Sequence, residues 1–231
     1  MTQSLLRELA CAGPEHLDPA YVAGYDRKAG FDPTADLAAL REGGLGPDST
    51  VVDLGAGTGT FAISAARVFR RVVAVDVSPA MTAALRRRVA DTGLANVECV
   101  EAGFLSYEHA GAPADAVFTR NALHHLPDFW KALALRRIAD LMRPGGVLRL
   151  RDLVYSFDPA DAEAALERWL ATAAPSSEVG WTREELETHV RDEYSTFAWL
   201  LEPMLECAGF TIERAEHDEL GIYATYTCTK R

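Results

Sequence analysis

The stretch VVDLGAGTGTFAISAAR, residues 51–67, decides how the chain folds. An apolar run ends in an acidic residue, Asp53, as a buried strand does when it opens at a crevice. Gly55, Gly57 and Gly59 follow, alternating with Ala56 and Thr58, and then a helical pattern spans about Thr58 to Phe69. Bare glycines at a strand-to-helix turn let a ligand approach the main chain, where the helix N-terminus offers free N–H groups.

The same rhythm continues on both sides. VVAVDV (72–77) reads as a second strand ending at Asp76, and Ser78 and Pro79 supply an N-cap and first-turn proline for the next helix. Met81, Ala84, Leu85 and Val89 give that helix one apolar face. NVECVE and ADAVFT are the third and fourth strands. FWKALALRRIADLM is an amphipathic helix expected to be capped by Asp128, and the RPGG turn leads into a fifth strand, VLRLRDLV. Apolar strands alternating with helices imply an α/β protein with a parallel sheet covered on both faces.

The tail breaks this rhythm. Asp158 and Pro159 open one helix, and Thr182 with Glu185 forms a capping box for another, stapled by Trp181 and Leu186. Pro203 is expected to bend or divide the following helix, and Gly209 to end it. TIERAEH and IYATYTCTK close the chain as a β-hairpin. A single domain over residues 1–231 is expected, with an N-terminal helical cap (1–47), a core (48–157), a helical lid insertion (158–195) and a C-terminal helix and hairpin (196–231).

Composition narrows the function. With 231 residues, 48% of them hydrophobic, the chain can bury one sizeable core. A net charge of −11 opposes binding to nucleic acid or an anionic membrane, and the run RRR (86–88) reads as a solvated helix face. No apolar run reaches the ~20 residues of a membrane span, and the N-terminus lacks a secretory pattern. The four cysteines are scattered without metal-binding spacing, as in a cytoplasmic protein with reduced thiols, and no metal site is expected.

A dinucleotide fold places G-x-G-x-x-G at such a turn, with an acidic residue ~20 positions on. Here Thr60 stands where the third glycine belongs, which disfavours a nicotinamide oxidoreductase. Asp53 before Gly55, Gly57 and Gly59, with Asp76 closing strand two and RPGG before strand five, instead resembles the class I S-adenosylmethionine-dependent methyltransferases over residues 48–153. The resemblance implies a Rossmann-like, doubly wound, mostly parallel seven-stranded sheet with an antiparallel C-terminal strand and a helical insertion. It implies S-adenosyl-L-methionine as cofactor and a small-molecule methyl acceptor as partner. Asp76 is then the ribose ligand and Asp53 orders the loop or meets the methionine ammonium. Gly55, Ala56, Gly57, Thr58 and Gly59 line the cofactor, and Val77 packs on adenine.

The family often has an acidic residue at the end of strand three that reaches the adenine amino group. In this chain Gly103 replaces it, leaving main-chain groups and Phe104 for adenine. Arg120 and Asn121 are expected to present main-chain groups to the methionine portion, and Tyr25 to fold over the sulfonium with Tyr21 beside it. His125, His124 and Tyr21 are the candidate catalytic residues; His125 comes first because a short segment of the phosphobase methyltransferases resembles this one in placing a histidine similarly, and histidine suits a general base near neutral pH. Arg27 and Lys28 are either partners of the methionine carboxylate or exposed charges. An RNA or protein methyltransferase and a non-catalytic S-adenosylmethionine-binding protein are the alternatives.

Overall fold

In the computed structural model, which describes residues 6–231, the glycine stretch joins the central strand of a sheet to a short helix. Residues 1–5, where the expected N-terminal cap begins, lie outside the described residues. Strands β1 (Thr50–Leu54), β2 (Arg71–Asp76), β3 (Val97–Glu101), β4 (Ala114–Arg120) and β5 (Met142–Tyr155) run parallel in the order β3-β2-β1-β4-β5. The last two long strands, β7 (Phe210–His217) and β8 (Tyr223–Lys230), form the hairpin, and β8 lies antiparallel to β5. Beyond the seven expected strands, a two-residue β6 (Thr196–Phe197) pairs with the end of β5.

The central strands carry apolar side chains on both faces because both are covered. Val52, Leu54, Val73, Val75 and Val117 join one core with α5 (Asp128–Leu141) and α8 (Ala198–Ala208). Val51, Val72, Ala74, Ala116 and Phe118 join the other, beneath α2 (Thr34–Glu42), α3 (Thr60–Ala65) and α4 (Pro79–Thr92). A third, smaller cluster joins Leu153 and Ile222 to Trp169 of α6 (Ala162–Leu170) and Leu186 of α7 (Arg183–Asp192). Among the described residues, no helix is long and apolar enough to cross a membrane.

Local details depart from the sequence reading in four places. Helix α3 is shorter than expected, because left-handed Gly59 is its N-cap and the chain turns out again after Ala65. Asp128 is the first residue of α5 rather than its cap; its carboxylate accepts a 2.8 Å bond from Lys131, whose ammonium is buried. RPGG is a bulge within β5, since Met142 pairs with Ala114 and Val147 with Ala116. Pro203 leaves α8 continuous from residue 198 to 208.

The N-terminal segment is anchored by polar groups. Asp18 caps α1 (Pro19–Ala29) by accepting from Ala20 N at 2.9 Å. Asp26 of α1 binds the Thr58 hydroxyl in the glycine turn and pairs with Arg88 of α4 at 2.6 Å. Arg88 is therefore not part of a free basic face, whereas Arg86 and Arg87 are exposed. Lys28 is buried, paired with Glu185 of α7, and lies 4.4 Å from the Trp181 ring centroid, so it is neither of the things its sequence context suggested. Helix α2 is pinned to β5 by Asp36, which accepts a 2.8 Å bond from buried Arg149. Removing the carboxylate leaves the buried guanidinium only Thr227 Oγ1 at 2.9 Å and the half-exposed Glu216 at 3.7 Å. Asp36→Ala should cost about 3 kcal/mol in urea unfolding, and Asp36→Leu with Arg149→Met should recover most of it; an Asp36→Ala cost under about 1 kcal/mol would contradict this.

Candidate functional site

Between β1 and β4 the strand order reverses, and the ends of these strands part into a crevice. Gly55 opens it. Its φ is +74°, and a Cβ there would sit 2.3 Å from the Ala122 Cβ, so this position demands glycine. The N–H groups of Gly55 and Ala56 donate to Val75 O at 2.9 and 3.0 Å, which fastens the turn to β2. Asp76 sits at the end of β2; one carboxylate oxygen accepts from Gly57 N and the other from Ser78 N, both at 2.8 Å. Burial raises its pKa, while those two N–H groups act against the rise. Each oxygen keeps a further lone pair for a ligand.

Asp53 is buried, and its Oδ2 has no hydrogen-bond partner. Burial, then the Asp76 charge, lifts its carboxyl well above the usual range. Such a group awaits a cation or another donor.

Three cavities border the crevice. The first runs from Glu8 and Phe104 past Gly103, Val77 and Asp76 to Arg120. The second lies over Asp53, Ala56 and Thr58, below Phe31 and Trp181. The third, about 290 Å³, extends between His124, His125 and Tyr21 on one side and α7 with Trp169 and Trp181 on the other. Tyr25 and Asn121 line all three. Asn121 has φ +48°, the one non-glycine among the described residues in that region. Asparagine tolerates this conformation better than most residues, and here its N–H donates to Arg151 O at 2.8 Å while its side-chain oxygen accepts from the Arg151 guanidinium. Burial, then the Asp76 charge, pushes Tyr25 up to about 12. Gly59 borders none of the cavities: a Cβ would meet Leu85 Cδ1 at 2.2 Å, so its small size serves helix packing.

Two groups enter this site without a sequence signal. Glu8 places its carboxylate over Gly103, where it accepts a 2.8 Å bond from Leu105 N, 97 positions later in the chain. The acid missing at the end of strand three is thus matched by one from the N-terminal segment. The side chain of Arg120, a residue expected for its main chain alone, turns into the crevice, 4.2 Å from the Phe31 ring centroid. Among the described residues no carboxylate comes within ion-pair distance of it. Burial, then the Arg151 charge, brings its pKa down to about 10.

Around the third cavity the histidines are heavily engaged. His124 is buried and its Nδ1 is hydrogen-bonded to Asp152, which also accepts from the N–H groups of Leu123 (2.7 Å), His124 (3.1 Å) and Leu153 (2.8 Å). His124 Nε2 stands 3.1 Å from Glu193 Oε2. His189 Nδ1 contacts the same oxygen, and its Nε2 is 2.8 Å from Ser195 Oγ. Burial alone would lower the His124 pKa, but Asp152 and Glu193 outweigh it and hold the group near about 9. His125 is driven the other way, well below its ordinary value, by burial and then the neighbouring His124. His16 joins the group with its ring 5.3 Å from that of His125. The i,i+4 spacing of His189 and Glu193 was a legible sequence signal that the two side chains meet; His16 carried none.

Similarity to known proteins agrees with this architecture. The profile of the methyltransferase-domain family matches residues 51–146. An uncharacterized methyltransferase of Mycobacterium bovis is 31% identical over 153 residues, covering 61% of this chain and 75% of the relative. Methyltransferase str2 of Strobilurus tenacellus is 30% identical over 138 residues, or 58% of this chain, and the match spans only 47% of that relative's length. Among solved structures, magnesium protoporphyrin IX methyltransferase from Synechocystis PCC 6803 with bound S-adenosylmethionine superposes with a TM-score of 0.66. The two share 15% identity, and the match covers 98% of each chain, a likeness of fold. The chain belongs to the class I S-adenosylmethionine-dependent methyltransferase family.

Asp53 also yields a pH test. A carboxyl whose folded pKa is raised contributes stability below its unfolded value near ~3.9, and loses it as pH rises through the folded value. The ligand-free Asp53→Asn protein should therefore melt above the parent at pH 7.5, with the gap closing towards pH 4. A variant that melts lower at pH 7.5 would contradict the burial argument.

Proposed function

We propose that the crevice binds S-adenosylmethionine in an extended pose and transfers its methyl group to a small-molecule acceptor by in-line displacement. The observation that carries this reading is the meeting of three cavities at Tyr25 and Asn121. One cavity takes the adenosyl end, one the methionine end, and the junction holds the sulfur, its methyl aimed into the third. Alignment of acceptor and S–CH3 bond is the main contribution such a site makes to rate.

Each residue then has a part. Asp76 accepts from the ribose hydroxyls with its remaining lone pairs, and Val77 and Phe104 pack on adenine. The Glu8 carboxylate accepts from the adenine amino group in place of the missing acid. Asp53 and the main chain of the glycine turn meet the methionine ammonium. Arg120, cationic and without a carboxylate partner, pairs with the methionine carboxylate. The Tyr25 ring faces the sulfonium, whose charge the aromatic face favours. Tyr21, His124 and His125 belong to the acceptor side. Helices α6 and α7 act as a lid over that side, latched to α1 by Lys28 and Glu185. A small acceptor fits the third cavity, about 290 Å³, and the net charge of −11. The magnesium protoporphyrin IX methyltransferase, which shares the fold, is likewise named for a small-molecule acceptor. Four unpaired cysteines suit a reducing compartment, the cytoplasm.

Calorimetry with S-adenosylhomocysteine tests the assignment. Asp76→Ala should weaken binding by roughly 1–3 kcal/mol, the scale of lost charge-assisted hydrogen bonds, and Arg120→Ala should do likewise. Both S-adenosyl compounds should raise the melting temperature of the parent protein. A rise with NADH and none with either S-adenosyl compound would overturn the reading.

A further inference from the structure

We propose that His124, His125 and Glu193 form a binding site for a divalent first-row transition-metal ion on the wall of the third cavity. They are the one grouping of histidine, cysteine and acidic side chains among the described residues whose donor atoms all lie within 4.8 Å of one another. The 3.1 Å between His124 Nε2 and Glu193 Oε2 suits two ligands that share an ion at about 2.1 Å from each.

The donors are buried and braced from behind. His125 Nδ1 is buried without a hydrogen-bond partner, and Glu193 Oε2 is buried against His124 Nε2 and His189 Nδ1. Behind the donors, Asp152 holds the far nitrogen of His124, leaving Nε2 to face Glu193. A carboxylate behind a ligating histidine fixes its tautomer and orientation. Glu193 is itself held in place: His189 packs on its carboxylate, and the next residue, Tyr194, donates its N–H to His124 O at 2.9 Å. Two imidazoles and one carboxylate select zinc-like ions over Mg²⁺ or Ca²⁺, which prefer oxygen ligands, and three protein ligands leave a position open.

That open position faces the cavity lined by His124, His125 and Glu193. On the reading that this cavity takes the methyl acceptor, the ion selects acceptors that bear a ligating hydroxyl. Bound there, the hydroxyl loses its proton to water; the oxygen lone pair forms the O–CH3 bond, and the breaking S–CH3 bond leaves its electron pair on sulfur as the neutral thioether.

Titration of the EDTA-stripped full chain with Co²⁺ tests the site. One equivalent should bind with visible d–d absorption bands, and Zn²⁺ should displace it. His125→Gln and Glu193→Gln should each weaken Co²⁺ binding at least tenfold, and Asp152→Asn about 10- to 100-fold. Circular dichroism checks the fold of each variant; if Glu193→Gln fails to fold, His125→Gln, whose buried Nδ1 has no hydrogen bond to lose, carries the test. Asp76→Ala should lose S-adenosylhomocysteine affinity and keep the Co²⁺ bands, which separates this site from the cofactor assignment. Absence of a saturable one-equivalent Co²⁺ spectrum in the parent, or undiminished affinity in a folded His125→Gln, would overturn the proposal.

Discussion

The Asp76 carboxylate, buried at the end of β2 between the N–H groups of Gly57 and Ser78, is the contact on which the crevice depends. It ties the glycine turn to the first turn of α4, so the tips of β1 and β2 cannot drift apart. A buried charge is costly unless donors compensate it, and here the main chain supplies them. The same carboxylate raises the pKa of Asp53 and of Tyr25. Burial is the larger cause at both residues, and the Asp76 charge adds to it.

Helix α1 closes the site by a second set of contacts. Asp26 links it to Thr58 and Arg88, and Lys28 links it to Glu185 on α7. Between these two anchors stands Tyr25, at the junction of the three cavities. Its placement follows from helical spacing: Tyr21 and Tyr25, four positions apart, lie on one face of α1. An ion pair thus joins α1 to α7 across the third cavity.

The individual strands and the glycine turn were legible because they depend on local chemistry, whereas the sheet's arrangement came only with the family resemblance. Runs such as VVAVD, the Ser78 cap, and the Thr182–Glu185 box declare themselves within a few residues. Asp128 misled because a residue that suits a cap also suits an ion pair, and Lys131 offered one. Nothing near Gly103 announces that Glu8 will cover it, since that contact is made only when the ends of the chain's cover fold back. Likewise the histidine cluster joins the turn after β4 to the end of α7 through Asp152 on β5, and no single window of sequence contains all of its members. Arg88 and Lys28 looked like surface charge because their acidic partners lie on other elements.

The central claim is geometric: the sulfur of the cofactor rests at the meeting point of the three cavities. A crystal structure of the complex with S-adenosylhomocysteine measures this directly. Ribose hydroxyls are expected on Asp76, the amino-acid end over Asp53 and Arg120, and sulfur beside Tyr25 and Asn121 with an open path to His125. Sulfur placed away from that junction, or walled off from the third cavity, would contradict it.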